Sequence, residues 1–506
     1  MLGHRTLTRR AGRDSHSFFE QFSGVLFKAL WGSSTYRDFS RPPARPARLR
    51  RLSRLPQTPG DGPGVEYSVF GAFEFRPELA YSGAMRLSQL ITRTAKDHSA
   101  EDISRNARFL VRAGFVSRLM AGVYSFLPLG LRTLTRIEDI VREEMDRVGG
   151  QEVLLPALQP RDIWDRTGRW ETVDVLFKLK GAGDRDLCLG PTHEEVVTPL
   201  IGQFLRSYRN LPTAVYQIQT KFRNEPRAKS GLLRGREFRM KDMYSFHADE
   251  SDLDAFYDRV TRSYMRVYER CGLGASTVLT YASGGMFSKY SHEFQTVTPY
   301  GEDVLYRVPG KDIAVNKEIV GDPTALAEVV PGYQAGSEAR WEELKAIEVG
   351  NIFKLGTRFT EAFGVRYADR EGKVRPVVMG CYGLGPSRVM GTIAECLSDD
   401  RGLAWPDEVA PYRVHLASLV QRPTDIEWCT ALYDDLQGRG IDVLYDDRED
   451  IQPGEKLADA DLIGLPHRFV VSRRTLAAGA IEWKKRTAAD STMLPREDAI
   501  NLVASP

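Results

Sequence analysis

The sequence contains few cysteines and no long hydrophobic run. Its five cysteines include no Cys-x-x-Cys pair: Cys188, Cys271, Cys381, Cys396 and Cys429. This spacing excludes the usual zinc-binding motifs and predicts reduced thiols in a cytosol-like compartment. No apolar run approaches the length that a membrane span requires, so we expect a soluble body with no membrane partner.

Positive charge is concentrated at one end of the chain. The chain carries a net charge of +2, and its 506 residues predict two or three domains. A hydrophobic content of 42% is enough for ordinary globular cores. Residues 1–84 contain 13 Lys and Arg against 7 Asp and Glu, a balance of +6, which leaves −4 for residues 85–506. We therefore expect any RNA partner to be bound through local basic patches rather than a global positive field.

Residues 1–84 also differ from the rest in composition. The segment 41–64 is rich in Arg, Pro and Gly and has no hydrophobic periodicity, which predicts disorder. An Arg-rich, acid-poor leader is compatible with an organelle transit peptide. It is equally compatible with a start codon assigned upstream of the true one.

Alternating polar and apolar residues define the stretch 214–247 as two strands joined by a basic loop. In the first strand the odd positions are all polar: Gln217, Gln219, Lys221, Arg223 and Glu225. This period of two predicts one packed face and one face available for chemistry. The loop carries Arg227, Lys229, Arg234 and Arg236, and the second strand places Phe238, Met240, Asp242 and Tyr244 on one side. A hairpin would bring that side against the Arg223 face.

The pattern Phe222-Arg223-x-Glu225, then Arg234-x-x-x-Phe238-x-x-x-Asp242, resembles motif 2 of the class II aminoacyl-tRNA synthetases. The stretches KFRNEPR and GREFRMKDMYSFH are similar to prolyl-tRNA synthetases of the bacterial type. A rigid Arg223 suits paired hydrogen bonds to an ATP phosphate and a carboxylate, and Phe238 offers an aromatic face for adenine. The resemblance also implies ATP-binding roles for Glu225 and Arg234. It implies a proline pocket that includes Arg223, Met240, Asp242, Tyr244 and His247.

The stretch LGPTHEE, residues 189–195, places a His-Glu pair ahead of an apolar helix. A zinc-binding HExxH motif is excluded because Val197 stands where the second histidine would be. Thr192-x-Glu194 resembles the TxE loop of prolyl enzymes, which implies that the Glu194 carboxylate receives the secondary ammonium of proline. The residues also fit a helix start, with Thr192 as the cap before a helix over 196–205. Both interpretations can hold together.

A predicted helix over 134–148, a predicted strand over 151–158 and Pro156 are similar to motif 1, which implies a homodimer. Gly284-Gly285 and Ser291-His292-Glu293-Phe294 resemble elements beside the proline pocket, and imply that Ser291 and His292 line it. We expect His247 and His292 to be wall residues rather than proton shuttles.

Gly383-x-Gly385-x-x-Arg388 lacks the third glycine of a Rossmann turn and the Lys of a P-loop. It resembles motif 3 of class II enzymes, which implies that the glycines let ATP approach the backbone and that Arg388 grips the γ-phosphate. Pro386 suits the first turn of a helix, whose positive end binds phosphate well. Cys381 is expected to be a small wall of the proline pocket.

Two further regions complete the chain. Residues 301–346, between motifs 2 and 3, are too few for the independent editing domain that many bacterial prolyl enzymes carry there.

From residue 411, strands and helices alternate, which predicts a small α/β domain with a largely parallel sheet. This part resembles the anticodon-binding domain of class IIa synthetases, and implies that Arg448, Lys456 and Asp459 read anticodon bases.

The resemblance covers residues 85–506. It implies an α+β class II catalytic domain over 85–405, with an antiparallel sheet flanked by helices, and an α/β anticodon-binding domain over 411–506. The implied reaction joins proline to ATP as prolyl-adenylate and then to tRNA(Pro), with Mg²⁺ as cofactor, no resident metal site, and catalysis by Arg223 and Arg388.

Two rival readings remain open. A threonyl enzyme would need a zinc site of Cys and His, and no such cluster is visible in the sequence. A non-catalytic RNA-binding paralogue would lack the ATP-binding arginines that this chain retains. Met85-Arg-Leu-Ser-Gln resembles the start of bacterial prolyl enzymes, which favours a cytoplasmic protein. A mitochondrial location follows if residues 1–84 are a transit segment.

Overall fold

The computed structural model describes residues 85–97, 104–226, 228, 230–285 and 287–504. All of them lie in one compact unit, Leu79–Pro506. The predicted disorder of 1–84, and Arg227 and Lys229 of the basic loop, fall outside the described residues. None of the helices in the described ranges is long and apolar enough to cross a bilayer.

The α-helices, in chain order, are α1 Arg105–Arg112, α2 Pro128–Arg147, α3 Arg161–Thr167, α4 Glu194–Gly202, α5 Glu250–Arg270, α6 Lys317–Val320, α7 Pro323–Val329, α8 Arg358–Phe363, α9 Pro386–Cys396, α10 Pro423–Gly438, α11 Pro453–Ile463, α12 Arg473–Ala477 and α13 Arg496–Ala504. The predicted helix over 134–148 is confirmed within α2. The second hairpin strand is followed by α5, where the Asp249 side chain accepts from the Asp252 N–H as the N-cap.

The strands are β1 Met85–Arg86, β2 Val116–Met120, β3 Val123–Phe126, β4 Gln151–Glu152, β5 Leu158–Pro160, β6 Phe177–Lys180, β7 Asp186–Leu189, β8 Thr213–Phe222, β9 Glu237–His247, β10 Thr277–Ser283, β11 Tyr290–Val297, β12 Asp303–Arg307, β13 Ala314–Asn316, β14 Glu342–Gly356, β15 Arg366–Ala368, β16 Val374–Pro376, β17 Val378–Leu384, β18 Val414–Ser418, β19 Val443–Asp446, β20 His467–Val471, β21 Ala480–Lys485 and β22 Thr492–Pro495. The predicted hairpin is confirmed as β8 and β9.

A nine-stranded sheet in the order β11-β10-β13-β12-β14-β17-β9-β8-β4 forms the catalytic domain. Its pairings are antiparallel except β10 with β13 and β4 with β8. Register places one row of cross-strand neighbours on the face covered by α2, α5 and α9: Tyr216, Met243, Tyr382, Ile352 and His292. The adjacent row points to the other face: Gln217, Asp242, Gly383, Asn351 and Glu293. We call this second face the cleft face.

The strand predicted over 151–158 is much shorter in the structure. Only Gln151–Glu152 pair as β4, because Leu155 bonds to side chains of β8 instead of its backbone. The Leu155 N–H donates to Gln217 Oε1 at 3.0 Å, and the Leu155 carbonyl accepts from Gln219 Nε2. Pro156 has no N–H to continue a ladder.

The segment 301–346 is part of the catalytic sheet. It supplies β12 and β13, and its helices α6 and α7 close a small apolar cluster around Val315 and Leu326. Tyr281 of β10 and Tyr290 of β11 pack against the same cluster. The segment therefore shares its core with the catalytic domain, as expected for so short an insertion.

A second sheet, in the order β1-β19-β18-β20-β21-β22, forms the C-terminal domain. The pairs β18–β19 and β18–β20 are parallel, and β21 and β22 are antiparallel, so the sheet is mixed. The edge strand β1 comes from the other end of the chain: Met85 pairs with Leu444 and Arg86 with Tyr445. The first residues of the predicted catalytic domain thus belong to the C-terminal sheet.

Candidate active site

The TxE loop lies over the cleft face and buries two adjacent carboxylates. His193, not the predicted Thr192, is the N-cap of α4, and Glu194 and Glu195 form the first turn. The Thr192 hydroxyl instead donates to Glu194 Oε2 at 2.6 Å. The cation that contacts both carboxylates is Arg169, whose Nη1 lies 3.4 Å from Glu194 Oε2 and 2.8 Å from Glu195 Oε1.

Burial shifts the pKa of two groups at this site, Cys381 and Glu195. The Cys381 thiol donates to Glu194 Oε1 at 3.3 Å, and burial together with the Glu194 charge raises the pKa of Cys381 well above its ordinary value. Burial also raises the pKa of Glu195, although Arg169 opposes that shift. Cys381 is therefore a neutral thiol beside Glu194 rather than a thiolate.

Arg223 extends from the end of β8 toward the same space. Its Nη2 donates a long hydrogen bond to the Pro191 carbonyl at 3.5 Å, and its guanidinium lies 5.3 Å from the centre of the Phe238 ring. Burial and the nearby Arg388 charge lower its pKa, whereas Glu348 and Glu194 raise it. Among the described residues no carboxylate forms an ion pair with Arg223, so its donors are available to a ligand.

The helix start predicted at Pro386 of motif 3 is confirmed. Gly385 is the N-cap of α9 and Pro386 occupies the first turn. Arg388 Nε donates to the Leu233 carbonyl at 2.7 Å, and its Nη1 donates to Glu348 Oε2 at 2.8 Å. A Cβ added to Gly383 would meet only the Asn351 carbonyl oxygen, at 3.6 Å, so the cleft face is open at this glycine.

The remaining carboxylates of the cleft face come from β11 and β12. Glu293 Oε2 accepts from Gln295 Nε2 at 2.9 Å and from Asn316 Nδ2 at 3.0 Å. Burial and the Glu348 carboxylate raise the pKa of Glu293 to about 8, and the same two causes raise that of Asp303.

Two family models match the chain. The class II core domain of tRNA synthetases (G, H, P, S and T) matches residues 177–396, and the anticodon-binding domain matches 414–505. A proline–tRNA ligase of Moorella thermoacetica is 33% identical over 558 residues, which cover 82% of this chain and 97% of that protein. One of Zymomonas mobilis is 39% identical over 448 residues, covering 83% and 99%. The chain belongs to the proline–tRNA ligase family.

Solved structures share the fold of this ligase. A Cryptosporidium parvum prolyl-tRNA synthetase complexed with L-proline and AMP has a TM-score of 0.64 and 18% identity, covering 81% of this chain and 79% of that one. The same enzyme with halofuginone and AMPPNP has a TM-score of 0.64 and covers 79% and 77%. The Moorella alignment is longer than this whole chain, so that relative carries residues with no counterpart in this ligase.

Several predicted proline-site residues of the ligase lie on the cleft face, but their polar atoms already have partners. Asp242 Oδ2 accepts from Gln217 Nε2 and from the Tyr244 hydroxyl, each at 2.9 Å. The Ser291 hydroxyl donates to the Ser283 carbonyl at 3.1 Å. Met240 is half-buried opposite Gln219 in the hairpin. Asp242 and Tyr244 therefore act inside the protein in this conformation.

His247 and His292 do not reach the cleft face. Sheet alternation turns both toward α5: His247 Nδ1 lies 2.9 Å from Asp252 Oδ2, and His292 Nδ1 lies 2.7 Å from the Tyr257 hydroxyl. Burial lowers the pKa of His292 to about 4. The expectation that they form the pocket wall is corrected by this placement, because each is one residue out of phase with its neighbours on the cleft face.

Of the remaining ATP-site candidates, Arg234 lies 3.9 Å from Glu302 on the surface, and Glu225 accepts through its backbone carbonyl from Arg236. In the C-terminal domain, Arg448 Nη2 donates to Asp446 at 2.7 Å and to Asp459 at 2.9 Å.

Lys456 Nζ donates to the Ser418 carbonyl at 2.7 Å. The three predicted anticodon-reading side chains are thus nearly buried and paired with protein groups. Contact with tRNA bases would be made by side chains that already bond within the domain.

Sequence reasoning missed Arg169, and it missed that Gln217 and Lys221 are fully buried although they lie on the predicted open face. Arg169 follows a glycine after a short helix, and no spacing relates it to the TxE loop. The five successive polar positions on one face of β8 did mark Lys221 as unusual. Its burial could not be predicted from them, because the loop that covers it is remote in sequence.

Proposed function

We propose that this ligase activates proline with ATP on the cleft face, between the Glu194 carboxylate and the Arg223 guanidinium. As a proline–tRNA ligase, the chain attaches proline to tRNA(Pro) at the expense of ATP. The observation that carries the site assignment is the placement of opposite charges. Buried Glu194 and Glu195 share Arg169 and are one cation short, and Arg223 lacks a carboxylate partner among the described residues.

A proline zwitterion complements both ends of this space. Its secondary ammonium supplies the cation that the two carboxylates lack, and its carboxylate faces Arg223. The Thr192 hydroxyl orients Glu194, and the Cys381 thiol fixes the second carboxylate oxygen. Ring methylenes of proline would lie against the apolar wall around Cys381.

The chemistry requires no protein nucleophile, because the proline carboxylate itself attacks the α-phosphate. Arg223 would hold that carboxylate and the α-phosphate together with paired hydrogen bonds, which stabilises charge in the transition state. Arg388 would bind the γ-phosphate after releasing Glu348, and Phe238 would stack on adenine once the Arg223 guanidinium moves from its face. The adenylate then passes proline to the terminal ribose of the tRNA.

Mg²⁺ is proposed to accompany ATP through Glu348 and Glu293. No group of three metal-ligating side chains occurs in the described part of the chain, but Mg²⁺ commonly takes one or two carboxylates and completes its shell with phosphates and water. Burial and, after it, the Glu348 charge raise the pKa of Glu293, and a divalent cation would offset that charge. Mg²⁺ would neutralise charge on the departing pyrophosphate.

A homodimer is proposed through the motif 1 region. Within the described part of the chain, the strand β4 is an unpaired edge of the nine-stranded sheet. Large apolar side chains nearby in sequence are exposed, among them Leu131, Leu154 and Leu158. Exposed apolar surface beside an open sheet edge favours burial in a partner. Sedimentation velocity of the wild type and a Leu154→Glu variant tests this: a dimer that the variant weakens supports the proposal, and a monomeric wild type contradicts it.

ATP–pyrophosphate exchange with each of the standard amino acids tests the activity. Exchange that depends on proline and exceeds that with threonine supports the proposal. A protein that binds tRNA but shows no exchange with any amino acid would instead be the non-catalytic paralogue.

A further inference from the structure

Four polar groups beneath the TxE loop form a closed ring of three hydrogen bonds and one ion pair. The Lys221 ammonium donates to His193 Nδ1 and lies against Asp242 Oδ1, each at 2.8 Å. The Tyr244 hydroxyl donates to Asp242 Oδ2 at 2.9 Å and accepts from the backbone N–H of His193 at 3.0 Å. The ring starts at the imidazole of His193 and closes on the main chain of the same residue.

The His193 imidazole is neutral and its tautomer is fixed. Burial and the Lys221 charge lower the pKa of His193 to about 4. Because Nδ1 accepts from the ammonium, Nε2 carries the proton and donates to the Pro156 carbonyl at 3.0 Å. The bond to Pro156 thereby anchors the ring of four polar groups to the segment after β4, in addition to β8 and β9.

The ring reaches the substrate pocket through one peptide bond. His193 is the N-cap of α4, and its carbonyl accepts from the Val197 N–H at 2.9 Å. Glu194 is the next residue, so the direction of its side chain follows from how the main chain of His193 is held. With the backbone N–H and the imidazole both fixed, the start of α4 has little freedom to turn.

A direct role for Lys221 in binding substrate does not fit its surroundings. The side chain is fully buried, and its ammonium is engaged by two protein groups. A role in stability alone would need only the Asp242 ion pair. The second bond, to His193, links that ion pair to the loop that carries Glu194.

We infer that Lys221 and His193 are positioning residues of the proline site, and that they hold the Glu194 carboxylate where the substrate ammonium arrives. The inference rests on the proposed role of Glu194. It assigns the ring an effect on proline binding that is separate from ATP binding.

Two substitutions at His193, similar in size to each other, test the inference. The asparagine of His193→Asn can still accept from Lys221 through its amide oxygen, whereas the leucine of His193→Leu has a similar size and no acceptor. In ATP–pyrophosphate exchange we expect His193→Leu and Lys221→Met to raise the KM for proline about tenfold or more, with the KM for ATP changed by less than about threefold. His193→Asn should recover a large part of the proline affinity.

Lys241→Met is the matched control. Lys241 is a fully buried lysine of β9, but it lies on the helix-covered face and donates to the Tyr382 carbonyl at 3.0 Å. It should lower the melting temperature without separating the two KM values. If Lys221→Met fails to fold, the His193 pair still decides, because both variants keep the Lys221–Asp242 ion pair.

Equal KM values for His193→Asn and His193→Leu, or a loss of thermal stability with the proline KM unchanged, would overturn the inference. Wild-type exchange with proline in the same experiment keeps this result distinct from failure of the proposed function. A wild type without proline-dependent exchange refutes the function, and an active wild type with unaffected ring variants refutes the positioning role alone.

Discussion

The Glu348 carboxylate lies close enough to Glu293 to add to the effect of burial, and together they raise the pKa of Glu293 to about 8 from an ordinary value of 4.5. The two residues come from β14 and β11, which are neighbours in the catalytic sheet. Arg388 donates to Glu348 but not to Glu293, so the arginine charge compensates one carboxylate of the pair directly.

This pair predicts a pH-dependent stability. Because the folded-state pKa of Glu293 is raised, its contribution to stability is fully present below pH 4.5 and is lost as the pH rises to 8. Glu293→Gln removes the titrating group. We therefore expect the melting temperature of the variant minus that of the wild type to increase from pH 5 to pH 8, measured without ATP or Mg²⁺. A difference between the two proteins that does not change with pH contradicts the assignment.

Arg223→Lys should nearly abolish adenylate formation, because a point charge cannot hold a phosphate and a carboxylate with paired hydrogen bonds. The measurement is ATP–pyrophosphate exchange with proline. Arg161→Lys, in a surface pair with Asp165, is the control and should retain wild-type activity. An Arg223→Lys variant with more than about a tenth of wild-type exchange, a loss of only about 1.4 kcal/mol, would refute the assigned role.

Glu194→Gln should raise the KM for proline much more than the KM for ATP, because the pocket loses its counter-charge to the substrate ammonium. Glu144→Gln is a matched control. Its buried carboxylate pairs with Arg266 and the Ser263 hydroxyl of α5, so its loss should mainly affect stability. If Glu194→Gln shifts both KM values equally, Glu194 does not bind the ammonium.

Deleting residues 1–84 should leave aminoacylation and dimerisation intact, since the described contacts of the C-terminal sheet begin at Met85. A deletion through residue 94 is the comparison. It removes β1 and the hydrogen bond from the Thr94 hydroxyl to Asp459 Oδ1 at 2.6 Å, and should lower the melting temperature. An inactive or insoluble protein after the shorter deletion would show that residues 1–84 are needed for the folding or activity of residues 85–506.

The ligase should activate alanine and should not hydrolyse alanyl-tRNA(Pro). Alanine lacks only methylenes of proline, which limits discrimination to about 1–3 kcal/mol, or roughly 10–200-fold. Residues 301–346 are built into the catalytic sheet and leave no separate hydrolytic domain there. Incubation with pre-formed alanyl-tRNA, against a no-enzyme blank, checks this. Ester loss clearly above the blank would reveal an editing site elsewhere.

Local pattern was enough to predict the hairpin, the larger part of α2 and the start of α9, because periodicity and glycine or proline positions specify these directly. It failed wherever another segment decides the outcome. Lys221 is buried and bonded to His193 of the TxE loop, and Gln217 is buried and bonded to Leu155 after β4. Arg448 is paired with Asp446 and Asp459. His247 and His292 were assigned to the pocket by resemblance, although counting along each strand would have placed them on the opposite face.

The parallel pairing of β1 with β19 has a consequence for synthesis of the chain. The Ser88 N–H bonds to Asp447, 359 residues further along. At the usual rate of translation, Arg86 and Ser88 wait roughly 20–70 s before their partners exist. The β1 edge of the C-terminal sheet cannot form until then, because the whole catalytic domain is synthesised before β19. The last domain is therefore completed by residues that left the ribosome long before it.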